Sequence, residues 1–207
     1  MNKITISGLV CSEVEYYYEY YGEKFYTFFI CSKRKSGVAD YIPCVVPGVL
    51  LERINEGDLL QIGGEVRTRN YTDENGKRRL DVSVFVQCVD DYPGYDDNTF
   101  AANGFLCKKC DKRNTPNGRE ITDFILASNR EPFYKSDYLP CIAWGRNARR
   151  VANMEVGANL LLTGRFQSRE YEKKNGEETE TMVVFEISVC SVSEGGTNEQ
   201  YDNSDSD

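Results

Sequence analysis

The chain is duplicated, and that constrains its fold more than any other feature. NKITISGLVC (2–11) aligns with NTFAANGFLC (98–107) at an offset of 96. The same offset pairs Gly22 with Gly118, Phe28 with Phe124, Ser32 with Ser128 and Arg34 with Arg130. After one inserted residue, DYIPCVVPG (40–48) matches DYLPCIAWG (137–145). After three more, GDLLQIGGEVRTRNYTDENG (57–76) matches GANLLLTGRFQSREYEKKNG (157–176), keeping Gly64/Gly164, Arg69/Arg169 and Tyr71/Tyr171 in register. A period near 100 is too long for a solenoid, whose units are roughly 20–45 residues. It describes two domains, and 207 residues accommodate two of ordinary small size.

Each half reads as β. Runs such as FYTFFICS, DYIPCVV and DVSVFVQCV alternate apolar and polar positions and are rich in aromatic and β-branched residues. Asn75-Gly76 and Asn175-Gly176 between such runs predict hairpin turns, as do Gly22 and Asn117-Gly118, because Gly and Asn tolerate the positive φ of a tight turn. One helical patch is expected per half, VLLERIN (49–55) and RNARRVANM (146–154). Strands, a single helix and a closing hairpin form the order of a five-stranded Greek-key barrel. The expectation is therefore all-β: two tandem OB-fold barrels, each with one short helix. Residues 1–92 and 98–192 would be the domains, PGYDD (93–97) the linker, and 193–207 a disordered acidic tail, too polar to fold alone.

A net charge of −8 taken by itself argues against nucleic acid. Its distribution reverses that. Residues 1–92 carry −3 and residues 98–192 carry +2, so the remaining −7 belongs to the linker and tail. Eight cysteines would fit a secreted disulfide scaffold, but no signal segment opens the sequence and no apolar run reaches membrane length. Several thiols sit in apolar runs (TFFICS, YIPCVV, YLPCIA) and read as small buried hydrophobes in a cytoplasmic protein. Cys107 and Cys110 form a CxxC, yet structural zinc wants four ligands and there is no histidine. Without histidine, a phosphate-cradling glycine loop or a nucleophile–base set, no catalytic residue, metal or cofactor is expected.

Period two also selects the outward side chains. In DYLPCIAWG, Leu139, Cys141 and Ala143 form a small apolar face suited to a core, leaving Tyr138, Pro140, Ile142 and Trp144 on the other. In LLLTGRFQSREY, Leu160, Leu162, Gly164 and Phe166 face inward, with Arg165, Gln167, Arg169 and Tyr171 outward. Arginines in a row ending in an aromatic suit a single nucleic-acid strand: guanidiniums neutralise phosphates while rings stack on bases. The first half retains Tyr41, Arg67, Arg69 and Tyr71 but has Pro47 for Trp144 and Glu65 for Arg165. A carboxylate there repels phosphate, so weaker binding is expected of that half. The tyrosines Tyr16, Tyr17, Tyr18, Tyr20 and Tyr21 fit base stacking, edge packing or a subunit contact equally well.

The stretch DFILASNR…DYLPCIAWGRNARRVANMEVGANLLLTGRFQSREYEKKNG resembles the bacterial single-stranded-DNA-binding protein family, whose members run strand–AxNR–loop–strand–WGKxAE–helix–GxxxxxxGRxQxRxY–DxxG. The resemblance is specific over 98–192 and looser over 2–92. It implies sequence-tolerant binding of single-stranded DNA in replication, recombination or repair. Carried over by position, it implies base contacts from Tyr138, Trp144, Tyr171 and Phe133 or Tyr134, with phosphates on Arg130, Arg165 and Arg169. In the first half the matches are Arg34, Tyr41, Arg69 and Tyr71. Two OB-folds per chain resemble the tandem variants, in which a homodimer supplies four. Replication or repair proteins stay open as partners, but the acidic tail lacks the terminal Pro-Phe by which the family recruits them. An OB-fold protein-interaction module and a single-stranded RNA binder remain open alternatives.

Overall fold

The alternating runs form strands in the computed structural model, which describes residues 1–130, 135–175 and 178–195, the side chains of 172–180 aside. The first half contains β1 (Asn2–Val10), β2 (Glu15–Tyr20), β3 (Glu23–Lys33), β4 (Ala39–Pro47), a 3-10 helix (Gly48–Arg53), β5 (Leu59–Thr72) and β6 (Arg78–Asp91). The second contains β7 (Asp97–Lys109), β8 (Arg113–Asn114), β9 (Glu120–Arg130), β10 (Lys135–Trp144), α1 (Arg146–Asn153), β11 (Asn159–Asn175) and β12 (Glu178–Glu194).

Each half closes on itself. β1 pairs antiparallel with both β3 and β5, β3 continues to β4, and β5 to β6. A parallel contact of β4 with β6 at Cys44↔Val84 shuts the barrel. The second half repeats this with β7, β9, β10, β11 and β12, closing at Cys141↔Ile187. Five closed strands with a helix between the third and fourth are the OB-fold. Short β2 and β8 are additions paired to the outer part of β3 and β9. Of the two expected helices, 146–154 forms α1 and buries Ala148 and Val151, whereas 49–55 tightens to a 3-10 segment with no buried residue. No helix among the described residues is long and apolar enough to cross a membrane.

The barrel interior follows the alternation. Leu139, Cys141, Ala143, Leu160, Leu162 and Phe166 are buried, with their first-half equivalents Ile42, Cys44, Val46, Leu60, Ile62 and Val66. Ile142 departs from the expected outward face: it is 2% exposed, where β10 is paired on both edges, to β9 and β12. At Gly64 and Gly164 a bulge brings the strand so close to its partner that a Cβ would lie 2.1 Å from the Phe85 carbonyl oxygen and 2.4 Å from that of Ser188. These matched glycines are needed for strand proximity.

The halves join edge to edge. β1 and β7 pair antiparallel from Asn2↔Ala102 to Ser7↔Asp97, so twelve strands form one continuous sheet and the buried apolar residues one cluster. Ser7 fixes the crossing by donating to the Tyr95 carbonyl (2.8 Å) and accepting from the Asp97 N–H (2.6 Å). β12 runs through Glu194, slightly into the segment expected as tail; residues from 196 onward, and the Gly176 turn, lie outside the described residues.

Candidate nucleic-acid interface

Two buried aspartates organise the surface where the halves meet. Asp40 and Asp137, at matching positions early in β4 and β10, are both 0% exposed. A carboxylate out of water needs a cation and hydrogen-bond donors. Asp137 receives Arg130 through Nε (2.6 Å) and Nη2 (2.5 Å), and its Oδ1 accepts the Thr68 N–H of the other half at 2.6 Å. Thr68 Oγ1 then accepts the Tyr138 N–H at 3.0 Å. Asp40 does the same in reverse: Arg34 at 2.7 and 2.5 Å, the Ser168 N–H at 3.2 Å, and Ser168 Oγ accepting the Tyr41 N–H at 3.0 Å. Each half thus latches the other. The carboxylate hydrogen bonds hold both guanidiniums above their ordinary pKa.

Beside the Asp40 latch an open groove of about 1070 Å³ crosses the junction. Phe29 and Tyr41 of the first half face it, as do Trp144, Arg165, Arg169 and Phe185 of the second. Tyr41 is 54% exposed and Phe29 38%. Among the described residues Arg165 has no carboxylate partner: it donates from Nη2 to Gln167 Oε1 (3.1 Å), and its Nε is buried without an acceptor. Burial, then the neighbouring Arg34 charge, push its pKa below the ordinary arginine value. Arg169 is held by buried Glu186, Nε to Oε1 at 3.0 Å, with its guanidinium 6.0 Å from the centre of the Tyr171 ring. Gln167, expected to face outward, is 4% exposed, because Arg34 of the other half reaches its Oε1 and Glu186 accepts from its Nε2.

The equivalent face of the first half is occupied by the chain itself. Arg67 pairs with Glu65 at 3.1 Å and lies over the Phe85 ring, 3.5 Å from its centre. Tyr17 donates its hydroxyl to Asp81 at 2.8 Å and accepts from Arg69, which also sits over its ring at 5.0 Å. Tyr18 stacks on Phe25 with ring centres 4.8 Å apart. Burial, with help from Asp81, raises the Tyr17 phenol to about 12. The tyrosine-rich hairpin therefore splits: Tyr17 and Tyr18 turn onto the barrel while Tyr16, Tyr20 and Tyr21 face solvent.

Of the residues singled out from sequence, Arg34, Tyr41, Trp144, Arg165 and Arg169 come together at the groove. Tyr71, Tyr138 and Tyr171 are exposed outside it, and Phe133 and Tyr134 lie outside the described residues. Phe29, Arg119 and Phe185 line the groove without having been anticipated. The outward phase of Phe29 was readable in FYTFFICS, where it alternates with buried Phe28 and Ile30, but Phe185 shares the phase of buried Ile187, and nothing in a single run shows two halves facing each other. Among the described residues no cluster of His, Cys, Asp or Glu is arranged to hold a metal ion.

A model of the single-strand binding protein family matches residues 1–91 and again 97–191. The chain belongs to that family. Single-stranded DNA-binding protein A of Bacillus subtilis is 38% identical over 95 residues, covering 43% of this chain and 54% of that protein. The single-stranded DNA-binding protein of Oceanobacillus iheyensis is 35% identical over 96 residues, covering 43% and 57%. The chain thus spans little more than half the length of the relatives it matches. In three dimensions it is similar to the single-stranded DNA binding protein from Thermus aquaticus: a deletion mutant superposes with a TM-score of 0.75 at 19% identity over 98% of both chains. That likeness concerns the fold, and it extends to both barrels.

Proposed function

We propose that this chain binds single-stranded DNA with little sequence preference and without catalysing a reaction. Bases stack on Trp144, Tyr41 and the outlying Tyr138 and Tyr171, and phosphates are neutralised chiefly by Arg165, with Arg169, which Glu186 already pairs, contributing from its exposed edge. Arg34 and Arg130 chiefly secure the latches, and Arg67 and Arg69 are taken up by Glu65, Tyr17 and Asp81 of their own half. The observation that carries this reading is the groove itself, which brings exposed rings and an arginine with no carboxylate partner among the described residues together on an OB-fold of the single-strand binding family. Stacking suits any base, because each has a π-face, and contributes about 1–3 kcal/mol per base.

Trp144 is the only tryptophan, so intrinsic fluorescence reports on this groove. Oligo-dT should quench it strongly and duplex DNA little, with affinity falling as salt rises. Unchanged emission at stoichiometric oligo-dT in low salt would remove Trp144 from the site and favour a protein-interaction module. Oligo-dT against oligo-U distinguishes DNA from RNA. On the same reading the chain works in the cytoplasm as a homodimer supplying four barrels, which its mass in solution tests.

A further inference from the structure

The walls of the open groove have counterparts on the opposite face of the junction, and several matched positions differ in charge or bulk. Strand register defines the pairs: Arg165 lies opposite Ser188 on the neighbouring strand, and Glu65 lies opposite Phe85. Pro47 stands where the open side has Trp144, and Glu23 where it has Arg119. On the closed side the Phe85 ring is covered by Arg67, and Arg67 is neutralised by Glu65. Asp81, Tyr17 and Arg69 complete that cover. On the open side serine replaces the ring and leaves space. Arg119 is exposed and makes no ion pair among the described residues, and Arg165 has only an amide oxygen for company.

We propose that the chain holds a DNA strand in one interdomain seat, where Phe29 and Arg119 bind it together with Trp144 and Arg165, while the matching face is kept shut by its own Arg67–Phe85 and Tyr17–Asp81 contacts. This rests on the single-strand reading and extends it: the first half supplies a wall of the second half's site, and the chain offers one such seat instead of two. Arginines on a single-stranded phosphate chain and rings on its bases are complementary to both components of the ligand. The closed face presents carboxylates where the open face presents cations, so a strand is repelled from one and drawn to the other.

The test is the anisotropy of fluorescein-labelled oligo-dT with the full chain, alongside alkylation of Cys190, an exposed thiol lining the groove. Phe29→Ala should weaken binding about fivefold or more, the loss of one stacked base. Arg119→Ala, at an exposed turn, should weaken it and lower the slope of log K against log salt by about 0.7. Arg67→Ala should leave affinity within about twofold, since that cation is already neutralised. Bound oligo-dT should slow alkylation of Cys190 and leave exposed Cys107 unprotected. A wild type that does not bind oligo-dT removes the single-strand reading itself. A wild type that binds, with Phe29→Ala and Arg119→Ala unchanged and Cys190 unprotected, overturns the seat alone. Arg67→Ala weakening binding as much as Phe29→Ala overturns the closed face.

Discussion

Replacing Asp137 by alanine strands two groups at once. Arg130 loses both of its short carboxylate contacts, and the Thr68 N–H of the other half loses its acceptor. Removing one partner of a buried ion pair costs about 3–5 kcal/mol. Arg130 keeps 21% side-chain exposure, so water screens part of the orphaned charge and the lower end, about 3 kcal/mol, applies. The unpaired amide adds about 1 kcal/mol. With both barrels melting as one unit of nearly 200 residues, each kcal/mol lowers Tm by about 2–4 °C, giving a fall of roughly 8–16 °C. Thermal melts followed by far-ultraviolet circular dichroism measure it. The double variant Arg130→Met/Asp137→Leu should recover most of the loss, because apolar residues of similar volume need no partners there. It should also bind oligo-dT within about threefold of wild type if the latch is the main task of Arg130; loss of a whole phosphate contact would cost more and reduce the salt slope. Asp40→Ala should cost less than Asp137→Ala, since Ser168 donates at 3.2 Å where Thr68 donates at 2.6 Å. A Tm for Asp137→Ala within about 2 °C of wild type would mean that the latch contributes little to stability.

Alkaline pH should loosen the tyrosine hairpin. The Tyr17 phenol is raised to about 12 by burial and by Asp81, so its stabilising contribution is complete below its ordinary value of 10 and fades as pH climbs toward 12. Near-ultraviolet titration of wild type minus Tyr17→Phe should show one late-ionising tyrosine; a difference curve centred on 10 contradicts the assignment. Gly164→Ala should destabilise by about 1–3 kcal/mol, since its methyl would meet the Ser188 carbonyl oxygen at 2.4 Å and the paired strands must part. An unchanged urea midpoint would show that the bulge relaxes freely.

The repeat made the architecture legible because matched glycines, hairpin turns and alternating runs occur twice, and agreement between copies filters chance. The inward face of β10 and β11 followed from period two, since each barrel interior is built by its own strands. What alternation misses is cover supplied by the other half. Gln167 reads as an outward residue on β11, yet Arg34 and Glu186 enclose it. Asp40 and Asp137 are polar residues at strand ends, ordinarily solvated, and their complete burial depends on distant donors: Ser168 lies 128 residues from Asp40, and Thr68 lies 69 from Asp137. The latch contacts of Arg34 and Arg130 were not legible, because the pattern records a guanidinium and its phase, not the carboxylate that holds it. Tyr17 likewise gave no sign of turning inward, because it sits at a bulge that breaks the phase of β2.

Pairing β1 with β7 inside one chain has a consequence that two separate copies do not permit. Between identical subunits a two-fold axis repeats every substitution, so a carboxylate introduced to shut one groove shuts both. Here the two copies of each position evolve separately, and Glu65 faces one side while Arg165 faces the other. A nucleic-acid strand has direction, and a symmetric surface presents the same features to it read either way. A surface with one cationic end and one acidic end gives the two orientations of a bound strand different energies.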